Sequence, residues 1–260
     1  LCVGLDPQVD RMPDIFQRSR TPLLDFCKGI VDATHEFVCS FKPQAAYFAA
    51  VGAETQLEQL IDYIKLKHPE IPVILDAKRG DIGSTAALYA REAYERYGAD
   101  AVTVSPYLGL ESIEPYMSYS DKGIVVLCRT SNPGSDWLQK DIEDPVPVYQ
   151  KVARRVAEWN TDDQFVLVTG ATYPEELGEV RQIVGEMPLL VPGIGAQGGD
   201  LQAVLRNGLS KSGSGLIISS SREVLYAHEK RQPSTESSST LQPAGTVAKT
   251  TRDAINEFIK

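Results

Sequence analysis

The sequence predicts an α/β fold, a single-domain (β/α)8 TIM barrel over residues 1–260, in which eight parallel strands alternate with helices. Short runs rich in β-branched residues alternate with longer amphipathic stretches from one end of the chain to the other. A length of 260 residues also suits one large domain. A doubly wound open sheet is the alternative, but its glycine fingerprint would follow the first strand, where this chain has Asp6-Pro7.

Each predicted strand is a short apolar run, and the eight runs cover residues 1–6, 38–42, 73–78, 101–106, 123–129, 165–169, 189–192 and 215–219. The helix patterns lie between these runs. In the clearest one, Leu57, Leu60, Ile61 and Ile64 share a face, which is the spacing of an amphipathic helix. Similar patterns predict helices over residues 54–67, 85–97, 148–160, 174–184, 201–207 and 251–259.

One segment, residues 228–249, departs from this alternation. It is rich in Ser, Thr, Pro and Gln, and such a composition can bury little apolar area. We expect a mobile insertion between the eighth strand and the last helix, which serves either as a lid or as a plain surface loop. The chain begins at Leu1 inside a strand-like run, so we also expect the natural N-terminus to be missing.

Composition excludes several classes of partner. The net charge is −9 and no block of Lys or Arg occurs, which disfavours nucleic acid and favours a small-molecule ligand. No apolar run approaches the ~20 residues that a membrane span needs. The four cysteines include no Cys-x-x-Cys pair, which indicates reduced thiols and a cytoplasmic protein. No clustered Cys/His or His-Glu-x-x-His pattern occurs, so no dedicated protein-bound metal is predicted.

The most informative polar pattern lies at the end of the third strand. Asp76 and Lys78 are two residues apart, so on a strand their side chains point to the same face. Asp81 follows in the loop, and Lys42 ends the preceding strand, so the four charges are expected to meet at the C-terminal face of the barrel. A structural salt bridge is the alternative, although buried charges stabilise a fold poorly. Other strands end in Ser105, Thr130 with Ser131, and Thr169.

A glycine-rich run, residues 191–199, opens a helix near Asp200 and predicts an anion site. Glycine backbones can approach a phosphate closely, and a helix N-terminus attracts negative charge. Arg222 after the eighth strand can contact phosphate oxygens through two N–H groups. The Arg-Thr-Ser-Asn-Pro-Gly stretch, residues 129–134, is either a plain turn or a segment in which Ser131 contacts a polar ring edge.

Together these motifs resemble the orotidine 5'-phosphate decarboxylase family. Residues 75–85 are similar to its DxKxxDI signature, and the Arg-Thr-Ser-Asn-Pro-Gly form is similar to the branch found in many bacteria. The resemblance implies a cofactor-free enzyme that removes CO2 from orotidine 5'-monophosphate to make UMP, the last step of de novo pyrimidine nucleotide synthesis. It covers nearly the whole chain, with further similar segments at 1–7, 41–43, 192–199 and 220–222.

The resemblance also implies a role for each matching residue. Lys78 protonates C6 of the pyrimidine, Asp76 stands beside the departing carboxylate, and Lys42 binds the ribose. Asp81 crosses the interface of a homodimer into the partner's site. The substrate-binding residues implied are Asp6 at a ribose hydroxyl, Ile82 and Thr85 in the partner's site, Ser131 at the pyrimidine edge, Pro192 near the base, and Gln197, Gly198 and Arg222 at the phosphate.

Two alternatives stay open beside this decarboxylase. Related barrels with the same DxKxxD core look magnesium-dependent and act on sugar phosphates as lyases or decarboxylases. The continuation at residues 82–85 and the Ser-Asn-Pro-Gly loop argue against that group. The second alternative is a catalytically silent nucleotide-binding barrel, against which the complete set of four charged residues argues, because unused buried charges would only reduce stability.

Overall fold

The computed structural model describes residues 1–141, 145–194, 198–230 and 240–259. Its strands are β1 Cys2–Leu5, β2 Ser40–Pro43, β3 Ile74–Arg79, β4 Ala101–Val104, β5 Gly123–Arg129, β6 Phe165–Thr169, β7 Leu189–Pro192 and β8 Leu216–Ser220. They form one parallel sheet in the order β2-β1-β8-β7-β6-β5-β4-β3. Each strand lies within two residues of the bounds that the sequence predicts.

Contacts between β2 and β3 bring the two ends of this sheet together. Two parallel bridges join them, Phe41 with Val73 and Gln44 with Asp76. The Phe41 N–H also donates to the Pro72 carbonyl at 3.1 Å. The sheet is therefore a nearly closed barrel, and the predicted (β/α)8 fold is confirmed.

Helices return the chain from strand to strand over the outside of the barrel. The predicted amphipathic helix is among them, with its four apolar residues buried. No described helix combines the length and the apolar character that crossing a bilayer requires. The α-helices are α1 Asp14–Gln17, α2 Pro22–Thr34, α3 Ala45–Ala49, α4 Glu54–Lys67, α5 Gly83–Arg91 (extended by a π-helical turn, Glu92–Arg96), α6 Glu114–Met117, α7 Asp136–Gln139, α8 Val148–Trp159, α9 Pro174–Val184, α10 Leu201–Gly208, α11 Arg222–Leu225 and α12 Gln242–Ile259.

Two apolar layers stabilise the barrel. The larger layer lies between the strands and the surrounding helices, and the smaller one fills the barrel interior with Ile74, Val125, Val168 and Leu190. Alternate residues of a strand point to opposite faces, so each strand contributes to both layers. On β3 the inward face continues from Ile74 to Asp76, which places a carboxylate directly beyond the apolar interior.

The last helix begins nine residues earlier than the sequence predicts, at Gln242 instead of residue 251. Residues 242–249 therefore do not belong to an insertion. Pro243, Ala244 and Ala248 are buried, and at Gly245 an added Cβ would lie 2.6 Å from the Ala33 carbonyl oxygen of α2. Small side chains allow this close approach of two helices, and composition alone does not show it. Residues 231–239 of the predicted insertion lie outside the described residues.

Candidate active site

A cavity of about 590 Å³ opens where the strands end, beyond the apolar barrel interior. Its volume is in the usual range for small-molecule sites. Parallel strands that close into a barrel all end at this face, so residues far apart in sequence meet here. The sequence-predicted residues that line the cavity are Asp6, Lys42, Asp76, Lys78, Ser131, Pro192 and Arg222.

Three charged side chains form a linear array in the wall of the cavity. The Lys42 Nζ donates to Asp76 Oδ2 at 2.7 Å, and the Lys78 Nζ donates to Asp76 Oδ1 at 2.5 Å. The side chains of Lys42 and Asp76 are each only 8% exposed, whereas that of Lys78 is 47% exposed toward the cavity. One carboxylate therefore holds two ammonium groups, of which Lys78 is the one accessible to a ligand.

Thr103 on β4 determines the local shape of this array. Its hydroxyl donates to Asp76 Oδ1 at 2.9 Å and accepts the backbone N–H groups of Ala77 and Lys78 at 3.0 and 2.9 Å. The pairing of β3 with β4 shifts register between Leu75 and Arg79, and Lys78 takes a left-handed backbone with φ 48°. A lysine adopts this conformation only when its surroundings enforce it, which is typical of functional sites.

The two ion pairs set the charge state of the array. Burial alone would raise the pKa of Asp76, but the adjacent Lys42 and Lys78 ammonium groups outweigh it and lower that pKa to about 2. Burial would lower the pKa of Lys42, but the negative charges of Asp76 and Asp6 raise it above its ordinary value. At neutral pH the array therefore contains an ionised carboxylate and a protonated Lys42.

Asp6, just beyond the end of β1, contributes a second carboxylate to the cavity. Its Oδ1 is buried and has no hydrogen-bond partner among the described residues. A buried carboxylate oxygen without a partner is unfavourable unless a ligand supplies a donor. Hydroxyl groups are donors of the required kind.

The loop after β5 covers another side of the cavity, and its lining residues include Thr130, Ser131, Asn132, Trp137 and Gln139. Arg129, which is completely buried, holds this loop from below. Its guanidinium donates to Ser135 Oγ at 2.5 Å and to Asp136 Oδ1 at 2.6 Å, and it stacks on the Tyr173 ring at 3.6 Å. The stretch is therefore an internally bonded wall of the site rather than a plain turn.

The cavity is also lined by Pro192, the last residue of β7, by Gly193 and Ile194 after it, and by Ser221 and Arg222 after β8. The anion site predicted at this glycine-rich run stays a prediction, and the N-terminus of α10 that follows the run is capped by the chain itself. The Asp200 carboxylate accepts the N–H groups of Gln202 and Ala203 at 2.9 and 3.3 Å, so the helix supplies its own anion. Gly198, with φ 81°, does not line the cavity, and Gln197 lies outside the described residues.

The structure does not bring Asp81, Ile82 and Thr85 into this cavity. The Asp81 carboxylate accepts its neighbour's N–H, that of Ile82, at 2.8 Å. Ile82 is 54% exposed, and Thr85 lies on the exposed surface of α5. These three side chains therefore do not line the cavity that contains Lys42 and Lys78.

Sequence reasoning missed several lining residues. It selected Ser105 at the end of β4 and Thr169 at the end of β6, but the cavity is lined by Thr103 and by Val168. Thr103 lies two residues after the inward-facing Ala101 on β4, so its side chain points to the same face. The alternation of side chains along the strand could therefore have identified it as a lining residue. No pattern identifies Trp137, because it stands on the short helix α7 and is 78% exposed at the cavity mouth.

Fold and cavity together define a class: a (β/α)8 barrel with a small-molecule site built around a Lys–Asp–Lys array at the strand ends. Comparison with known proteins identifies the family within that class. Residues 1–236 match the "Orotidine 5'-phosphate decarboxylase / HUMPS family", and the chain belongs to it.

Individual relatives agree with this assignment. The chain is 56% identical to the orotidine 5'-phosphate decarboxylase of Ralstonia pickettii (strain 12J), over 99% of this chain and 93% of the relative. Among solved structures, the OMP decarboxylase of Leishmania donovani is 38% identical with a TM-score of 0.82, over 98% of this chain and 93% of that one. The UMP synthase of the same organism is 40% identical with a TM-score of 0.83, and the match covers 98% of this chain but 53% of the synthase.

Proposed function

We propose that this barrel converts orotidine 5'-monophosphate to UMP and CO2 without a metal or another cofactor. The observation that carries the proposal is the array in which Asp76 holds Lys42 and Lys78 in a cavity of nucleotide size. Family membership supports the same reaction. Decarboxylation needs a fixed cation where negative charge develops, and the array provides one.

The lining residues suggest how the substrate lies in the cavity. The phosphate contacts Arg222 and the backbone near Gly193, and Asp6 with Lys42 contacts the ribose. Ser131 reads the edge of the pyrimidine, and Pro192 packs against the base. This arrangement directs C6 of the pyrimidine toward Lys78.

The reaction breaks the bond between C6 and the carboxylate carbon. CO2 leaves, and the electron pair of that bond remains on C6, where no adjacent π-system can accept it. The Lys78 ammonium transfers a proton to this carbon, and the resulting amine regains a proton from solvent. Asp76 stands beside the departing carboxylate. The two negative charges repel each other in the bound substrate, and this repulsion disappears as neutral CO2 forms.

Electrostatic magnitudes show that Lys78 cannot act alone. A close ion pair contributes about 4 kcal/mol at an effective dielectric constant near 20. Enzymes of very slow reactions must lower the barrier by roughly 20 kcal/mol. Preorganised charges and the binding energy of the remote phosphate supply the remainder, which assigns Arg222 a role in turnover although it is far from C6.

The proposal includes a cytoplasmic homodimer. Asp81, Ile82 and Thr85 face the site of the partner subunit, which explains why these residues lie outside their own cavity. The exposed apolar side chains of Ile82 and Leu88, 54% and 58% exposed, suit a protein interface beside α5. A reducing compartment fits the cysteines, since all four are free and three are buried.

The deciding experiment mixes the purified protein with orotidine 5'-monophosphate and follows the pyrimidine absorbance, with and without EDTA. We expect metal-independent formation of UMP.

Lys78→Ala should abolish UMP formation without unfolding the protein. Lys65→Ala is the matched control, because Lys65 pairs with Asp100 at 2.7 Å ahead of β4, away from the cavity. Loss of activity with EDTA would favour a magnesium-dependent sugar-phosphate enzyme, and a fully active Lys78→Ala would refute the proton donor.

A further inference from the structure

Tyr226 is bonded both to the turn at Asp6 and to Arg222, two residues of the cavity wall, without lining the cavity itself. It directly follows α11, and its backbone N–H donates to the Arg222 carbonyl at 3.1 Å. The residue is only 3% exposed. Its ring stacks on Phe26 with centroids 6.1 Å apart, and the Arg11 guanidinium covers it at 3.8 Å. Packing therefore fixes this ring one helical turn from the arginine assigned to the phosphate.

The hydroxyl of Tyr226 bonds the loop that carries Asp6. It donates to the Asp6 carbonyl at 3.0 Å and accepts the Gln8 N–H at 2.8 Å. Burial raises the pKa of this phenol above its ordinary value, so the proton of the donated bond is retained across the working pH range. One oxygen thus holds both sides of the Asp6–Gln8 turn, although it belongs to a residue 220 positions later than Asp6.

The position of this turn matters because of the Asp6 side chain. Its Oδ1 has no hydrogen-bond partner among the described residues, so no side-chain bond to that oxygen fixes where the carboxylate stands. The backbone must do so, and Tyr226 is bonded to that backbone on both sides of Pro7. The same carboxylate contributes to raising the pKa of Lys42.

We propose that Tyr226 is a positioning residue that fixes the position of Asp6 relative to Arg222. The contacts to the ribose and to the phosphate are thereby coupled. This inference rests on the proposed function. It assigns a role to a residue that does not contact the substrate. Binding of the phosphate at Arg222 steadies α11, and the phenol passes this constraint to the Asp6 carboxylate.

Tyr226→Phe tests the inference, because it removes the hydroxyl and keeps the ring on Phe26 and Arg11. We expect kcat/KM for orotidine 5'-monophosphate to fall about tenfold, the order expected for two hydrogen bonds of ordinary net strength. Tyr94→Phe is the matched control. Tyr94 is 5% exposed and donates to the carbonyl of Gly123 at 2.9 Å. Gly123 is the first residue of β5, at the end of the strand that lies away from the cavity. That variant should keep the wild-type kcat/KM.

A double-mutant cycle with Arg222→Ala separates positioning from mere stability. If Tyr226 acts through Arg222, adding Tyr226→Phe to Arg222→Ala should lower kcat/KM less than about twofold. The same cycle is measured on the Kd for UMP by calorimetry, so it can be read even in a protein that does not turn over. An inactive wild type contradicts the proposed function alone. Equal losses in both backgrounds, or a Tyr226→Phe variant indistinguishable from Tyr94→Phe, overturn the inference.

Discussion

At the scale of single residues, the charged array is the feature that the fold alone does not explain. Lys42 and Asp76 are nearly inaccessible to solvent. Removing two charges from water costs several kcal/mol per ion, and apolar residues of similar volume would often stabilise a protein more. This cost supports the chemical role proposed for the array, in which both lysines bond Asp76.

The low pKa of Asp76 predicts a pH-dependent contribution to stability. Its pKa falls from 3.8 to about 2 on folding, so the ionised form contributes about 2 kcal/mol that is complete above the unfolded value. The contribution is lost as the pH falls through 3.8 toward about 2. We expect the difference in unfolding free energy between wild type and Asp76→Asn, measured with urea, to shrink by that amount between about pH 6 and pH 2.

Asp253→Asn provides the comparison for this experiment. Asp253 pairs with Lys249 at 2.7 Å on the exposed surface of α12. Solvent screens such a pair, so the substitution should produce little pH-dependent change. A constant difference between wild type and Asp76→Asn over the whole pH range would disprove the assignment of the depressed pKa to this carboxylate.

At the scale of elements, the loop after β5 depends on the buried Arg129. Replacing it with Met keeps much of the volume but leaves Asp136 and Ser135 without their partner. We expect Arg129→Met to lower the unfolding free energy by about 3 kcal/mol and to raise KM for orotidine 5'-monophosphate, because the loop lines the cavity. Denaturant unfolding and steady-state kinetics measure the two effects.

Arg181 supplies a matched control for this loop prediction. It is also buried, and it donates to the Gly208, Met187 and Gly215 carbonyls at 2.7, 2.6 and 2.8 Å, at the end of the barrel opposite to the cavity. Arg181→Met should destabilise the protein and leave KM unchanged. An equal rise in KM for both variants would show that general destabilisation, and not the loop, controls substrate binding.

The contact between α2 and α12 depends on Gly245. A glycine inside a helix normally costs up to about 1 kcal/mol relative to alanine, so Gly→Ala should stabilise. Here an added Cβ would lie 2.6 Å from the Ala33 carbonyl oxygen, and Gly245→Ala should therefore destabilise by about 1–3 kcal/mol. Thermal unfolding measures the change.

Gly178→Ala in α9 is the control, because its Cβ would make only an ordinary contact, 3.4 Å from Asn207. A Gly245→Ala variant as stable as Gly178→Ala would contradict the close packing.

At the scale of the whole molecule, the proposed homodimer predicts that subunits complement each other. Lys78→Ala and Asp81→Ala should each be inactive alone. In a mixed dimer one site combines the intact Lys78 of one subunit with the intact Asp81 of the other. After equal mixing with subunit exchange, about a quarter of the sites should be active. Specific activity of the mixture measures this, and a mixture as inactive as its components would show that Asp81 does not serve the partner.

The sequence by itself determined the barrel and the centre of its site. Alternation of strand and helix patterns is local along the chain, and eight repeats admit few architectures. The spacing of residues 76 and 78 predicted both side chains on one face, and they do form an ion pair, although the strand is irregular at Lys78. Lys42, Ser131 and Arg222 follow from the rule that parallel strands of a barrel end at one rim, whereas Pro192 was implied by the family resemblance.

Tertiary structure decided what depends on contacts between distant segments. Thr103 bends the backbone at Lys78, Tyr226 bonds the turn at Asp6, and α12 starts early because small residues fit against α2. None of these features has a local signature, since a hydroxyl or a glycine acquires its role from the neighbour that packing brings to it. Local periodicity determines which face a side chain occupies, whereas its partner depends on the closed barrel.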